Sequence, residues 1–319
     1  MLSTFPSADA ITWLSILVKA IAYATTLLAI GSVLVLCLLK DLSDSGRIAV
    51  QRTAGLFALA AAIFSLLRLP IRASFLMGGT WDGALDALIL GLVADSPLGT
   101  SVAVRVAGLT LIVFVLWNRA AGLWLALTGA VLASTSFALR GHALGDLQVL
   151  LGGLITLHIL CLGFWVGAFG PLMRAVRSEE PAHAGCLAQS FGAQALWAIA
   201  LLLAAGGVTL ILFGAANPSF LSSPYGQMFA IKLGLFAGVM ALAATNKLSL
   251  TPALLASKPG AASRLRTSIG LEATLVAGIL ITTAALTTLS SPPSGTATDQ
   301  ISLHAFPKGR TPNYVGDAS

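Results

Sequence analysis

Charge is what this sequence has least of. Asp, Glu, Lys and Arg make up 9% of its 319 residues, against about a quarter in an ordinary soluble domain. So few charges cannot cover a water-facing surface. Cysteine is scarce too, and Cys37, Cys161 and Cys186 are widely separated, which excludes a disulfide framework and a two-residue-spaced thiol clamp. No Gly-x4-Gly-Lys-Ser/Thr phosphate loop occurs and no polar stretch is long enough for a nucleotide domain, so ATP-driven pumping by this chain alone is not expected. Nucleophile motifs of hydrolases and kinases are missing, and the expectation is a protein that is not an enzyme. A basic surface interleaved with aromatics is also missing, so no nucleic-acid partner is expected. The formal charge of +6 reads instead as a membrane topology signal.

What is present is apolar. Hydrophobic residues reach 57% and gather in runs of about 20, the length a helix needs to cross a bilayer. These runs do not alternate as barrel strands do. The expected fold is all-α, a polytopic membrane protein with a bundle of eight transmembrane helices plus a short interfacial helix between helices two and three. The helices are expected at 10–39, 53–76, 100–117, 122–139, 148–173, 192–214, 227–246 and 268–289, with the interfacial piece at 84–93. They form one domain over 1–290, followed by a polar tail, 291–319, whose Ser, Pro and Gly content predicts disorder. The first run lacks a basic leader and a small-residue cleavage site, so it reads as a retained helix.

Lys and Arg concentrate in the loops after helices one, three, five and seven, Lys40, Arg47, Arg174 and Lys247 among them. The positive-inside rule then places those loops in the cytoplasm and both termini outside. Lys19, Arg105 and Lys232 fall in the outer halves of their helices. Snorkelling to the interface is the simpler account of them; the other is pairing with Asp82, Asp86 or Asp95. Glu272, near the inner end of helix eight, is expected to form a structural ion pair with Arg264 or Arg266, the other reading being a proton relay.

Helix five carries the residues of interest. At roughly 100° per residue, His158, Cys161 and Trp165 fall on one side, and Gly163, Gly167 and Gly170 on the other. One face can pack closely while the other binds something. An imidazole inside a membrane is a functional candidate by default, and an imidazole with a thiol one turn away suits a soft metal such as Cu(I). The bland alternatives are a histidine bonded to a neighbouring helix and a cysteine acting as a small hydrophobe. Topology puts His142 at the outer surface above His158, as a metal ligand or as a simple surface residue. Met77 and Met228 map near the outer ends of helices two and seven as candidate thioether ligands, packing being the simpler account. Trp165 can cap a cation with its π face or simply pack.

Arg140-Gly141-His142-Ala143, Leu157-His158, Trp165-Val166-Gly167 and Pro171-Leu172 resemble the central part of the CopD copper-resistance membrane proteins. The resemblance continues through Gln189-Ser190-Phe191, Pro224-Tyr225-Gly226 with Lys232, Asn246-Lys247-Leu248, Thr251-Pro252-Ala253-Leu254, Arg264-Leu265-Arg266 and Glu272. It is strongest over 137–292. It implies a bacterial inner-membrane protein that moves copper from periplasm toward cytoplasm alongside a periplasmic carrier of the CopC type, with the family's histidines at His142 and His158. This chain has no fused copper-binding domain and no Met-rich or His-rich segment, so delivery falls to a separate partner. Two other readings stay open. One is a haem-binding redox protein, against which stands the depth difference of roughly 15 Å between the two histidines, at about 1.5 Å per residue. The other is a copper sensor or scaffold that does not transport.

Overall fold

A computed structural model describes residues 9–117, 119–139, 148–212 and 224–289. These residues are helical, with no strand among them, and their helices are α1 (Ala10–Leu38), α2 (Asp44–Leu66), α3 (Arg68–Leu76), α4 (Trp81–Leu85), α5 (Ala87–Ala94), α6 (Pro97–Val113), α7 (Ala120–Thr135), α8 (Gln148–Ser178), α9 (Pro181–Leu212), α10 (Pro224–Thr245), α11 (Thr251–Leu255) and α12 (Ala261–Leu289). Among the described residues, seven helical segments are long and apolar enough to cross a membrane, and α7 is a shorter apolar helix of 16 residues. The protein is an all-α polytopic membrane protein. Large apolar side chains such as Leu56, Trp124, Trp197 and Ile231 are exposed on the outside of the bundle, where lipid takes the place of a core partner.

Helix ends explain most differences from the expected boundaries. Ser43 caps α2 by accepting from the Gly46 N–H at 3.1 Å, so the helix begins at Asp44 rather than at 53. The stretch expected to connect helices five and six is instead the overhang of two long helices, α8 with 31 residues and α9 with 32. At about 1.5 Å per residue each outruns a hydrocarbon layer of about 30 Å. The expected basic loop before helix eight is likewise mostly helical, as a π-helical turn (Asn246–Leu250), α11 and the early start of α12 at Ala261. Between α3 and α6 the single interfacial helix is two short ones, α4 and α5, with Asp86 capping α5 through the Leu88 and Ile89 N–H groups. Helix four ends at Thr135, before its expected limit of 139. The tail 291–319 lies outside the described residues.

Close backbone approach holds the bundle together. A Cβ on Gly31 of α1 would lie 1.9 Å from the Gly163 carbonyl oxygen of α8, and one on Gly167 would lie 2.5 Å from the Gly31 Cα. Only glycines let two backbones meet this closely. Gly170, expected on the same packing face, meets nothing within 4 Å and is exposed.

Two of the three cations for which snorkelling was the simpler account are buried instead. Lys19 is 7% exposed and donates to the Thr287 carbonyl at 3.1 Å and the Thr288 hydroxyl at 2.7 Å, tying the start of α1 to the end of α12. Arg105 is fully buried; its Nε donates to Ser136 Oγ at 2.9 Å and its guanidinium lies 4.1 Å from the Phe137 ring centre. Phe137 in turn meets Tyr23, above which Arg68 sits. A buried charge is tolerable only with such partners. At the opposite end, Ser43 donates to Glu179, Gln194 to the Leu38 carbonyl and Lys247 to the Gly192 carbonyl. The segments carrying Arg47, Arg174 and Lys247 therefore share one end of the bundle.

Candidate metal path along α8

The two faces expected of the fifth transmembrane helix, here α8, exist and look in opposite directions. Gly163 and Gly167 close against α1. His158, Cys161 and Trp165 look the other way, toward a seam flanked by α9 and α10. His158 is half-buried. Its ring meets the Leu202 backbone of α9 and shares an electrostatic field with Lys232 of α10. Beside it is Gly206, where a Cβ would sit 3.7 Å from the imidazole Nδ1 and Cε1. Glycine thus leaves free space next to the ring. Cys161, one turn along, is 8% exposed and forms no disulfide.

Trp165 lies about 10 Å further along the axis, seven residues at about 1.5 Å each. Its Nε1 donates to Glu272 Oε2 of α12 at 3.4 Å, and its ring meets Phe191 edge-on with centres 6.4 Å apart. The other Glu272 oxygen accepts from Asn246 Nδ2, at the start of the π-helical turn. Neither Arg264 nor Arg266 forms the expected ion pair with Glu272. Both are exposed, because α12 turns them outward while Glu272, 3% exposed, faces inward. A cavity of about 160 Å³ adjoins this cluster, walled by Phe169, Phe191, Ile199, Met240 and Ile269, with Glu272, Asn246 and Lys247 as polar lining groups. Such a mostly apolar pocket with a few convergent polar groups is the usual form of a binding site.

The remaining candidates are dispersed. Met77 ends α3, is exposed, and packs beside Gly83. Met228 is half-buried on α10, one turn before Lys232. His142 lies outside the described residues, and no group of three or more His, Cys, Asp or Glu that could hold a metal occurs among those described. His183 stays at the helix overhang, 3.2 Å from Glu179. Asn246 gained no role from the sequence pattern, although Asn246-Lys247-Leu248 is one of the motifs that carry the resemblance.

The sequence model described as copper resistance protein D matches residues 185–286, and that of the copper resistance protein D-like N-terminal domain matches 8–148. No curated protein and no solved structure matches. The first match spans the α9, α10 and α12 walls of the cavity, while the second holds the α1 glycine against which α8 closes. Together they cover most of the chain, and this multi-pass membrane protein belongs to the copper resistance protein D family.

Proposed function

We propose that this protein moves copper, as Cu(I), from the periplasm toward the cytoplasm across the bacterial inner membrane, along the face of α8 that looks into the seam. The observation that carries this reading is the placement of His158. Its imidazole stands opposite the closed glycine contact, beside the gap left by Gly206 and one turn from the Cys161 thiol. Imidazole and thiol are soft donors suited to Cu(I). Copper delivered by a periplasmic carrier of the CopC type meets His142, then His158 with Cys161, with Met228 as a thioether donor near the outer end of α10; Met77, exposed at the end of α3, stands apart from this path. Trp165 lines the path below.

A conducting site must hold its ion weakly enough to release it. Lys232 of α10 lies within electrostatic reach of His158, and in its charged form it repels a cation there and shortens its stay. The sidedness rests on the clustering of basic loops at one end of the bundle, which the positive-inside rule assigns to the cytoplasm. Both termini are then periplasmic.

Double replacement of His142 and His158 by Ala tests the reading. Copper-dependent accumulation in cells is expected to disappear while the amount of protein in the membrane stays the same. Unchanged accumulation at normal membrane levels overturns it.

A further inference from the structure

Glu272 is a buried carboxylate without a cationic partner among the described residues. It is 3% exposed on a membrane-spanning helix and accepts from two neutral donors, Trp165 Nε1 and Asn246 Nδ2. Asn246 contributes a second fact. Its side-chain oxygen Oδ1 is buried and accepts no hydrogen bond in the structure. A buried acceptor left unpaired is costly, and a carboxylate offers it nothing, having acceptors only. A protonated carboxyl supplies the O–H donor that this oxygen lacks. Once the Asn246 amide turns over, the Glu272 O–H donates to Oδ1, so one amide serves both protonation states. The adjoining cavity of about 160 Å³ has room for several waters, and the π-helical turn that sets Asn246 there is a feature common at functional sites.

We propose that Glu272 is a proton-binding site served through this cavity from the end of the basic loops, and that its proton gates the exit of copper from the seam. The gating half rests on the copper-moving reading above; the proton-binding half does not. In the step itself, one Glu272 oxygen takes a proton that cavity water relays from the medium, the N–H···O hydrogen bond from Asn246 to that oxygen breaks, and an O–H···Oδ1 hydrogen bond replaces it. Release reverses this and returns the proton to water.

The other charged groups around Glu272 are accounted for. Lys247 lines the same cavity and donates to the Gly192 carbonyl at 2.8 Å. From α8 the nearest titratable groups are Cys161 and His158, one and two turns above Trp165; α9 lines the cavity without a charged residue. Arg264 and Arg266 on α12 are exposed, Lys232 of α10 lies at the level of His158, and Lys19 of α1 is bound to Thr287 and Thr288 at the far end.

Infrared difference spectra of the full-length protein in lipid, between acid and alkaline medium without copper, test the proton site. A protonated-carboxyl C=O band is expected in the native protein, lost in Glu272→Gln and shifted in Asn246→Ala. A band unchanged in Glu272→Gln overturns the site. Copper uptake into proteoliposomes, measured against pH on the basic-loop side, tests the gate. The native rate is expected to change several-fold across the titration, while Glu272→Gln transports at a pH-independent rate and Glu272→Asp restores the dependence. PH dependence retained in Glu272→Gln overturns the gate. If no variant, nor the native protein, transports copper, the copper-moving reading and with it the gate fail, whereas the infrared band decides the proton site by itself.

Discussion

Gly31 and Gly163 bring α1 and α8 into backbone contact: a Cβ on Gly31 would fall 1.9 Å from the Gly163 carbonyl oxygen. This contact closes one side of α8 and thereby decides that His158, Cys161 and Trp165 face the seam. A methyl group at Gly31 cannot be absorbed by a side-chain shift, because what it meets is backbone. Gly31→Ala is expected to lower stability by about 1–3 kcal/mol, the usual cost of overpacking, measured by thermal unfolding in detergent micelles. Gly170→Ala, where nothing lies within 4 Å, is the control and does not lower stability, since Ala is the better helix former.

Lys232 and His158 share a field across the seam, so removing the lysine charge should tighten the hold on a cation at the imidazole. Lys232→Met is expected to raise Cu(I) affinity about tenfold, some 1.4 kcal/mol, and to slow copper uptake. Competition with a Cu(I)-selective chelator, paired with uptake into proteoliposomes, checks both. Weaker binding in this variant would show that Lys232 supports the site rather than opposing the ion.

Ser136 accepts from the fully buried Arg105 Nε at 2.9 Å. A hydrogen bond to a charged group contributes about 1.5–3 kcal/mol, and Ser136→Ala should cost that much. Thr110→Ala, whose exposed hydroxyl bonds only the Val106 carbonyl of its own helix, should cost far less. Equal melting temperatures for the two variants would show that Arg105 draws its support elsewhere.

The His158, Cys161 and Trp165 face was legible in the sequence because helical spacing alone places i, i+3 and i+7 together. The opposed glycine face was legible at Gly163 and Gly167 for the same reason. Gly170 was misplaced because periodicity gives a direction, not the length of the neighbouring helix in contact. The partner of Glu272 was not legible at all. Arg264 and Arg266 are near it in sequence, whereas Trp165, the residue it accepts from, is 107 positions away.

Snorkelling for Lys19 and Arg105 failed for a related reason. Their depth followed from hydropathy, but burial follows from what packs around them: Thr287 and Thr288 from the other end of the chain, and Ser136 and Phe137 from the next hairpin.

Composition and run length by themselves determined that this chain is an all-α membrane protein, because a backbone in lipid must satisfy its hydrogen bonds within each segment. Spacing determined which residues of one helix share a face. Which face meets a partner was decided only by tertiary structure. In a soluble helix an apolar stripe marks the buried side, but here the lipid-facing and the buried sides are equally apolar, and the bundle is chosen instead by close packing and polar pairs between distant segments. The seam beside His158 and the carboxyl at Glu272 are products of that choice.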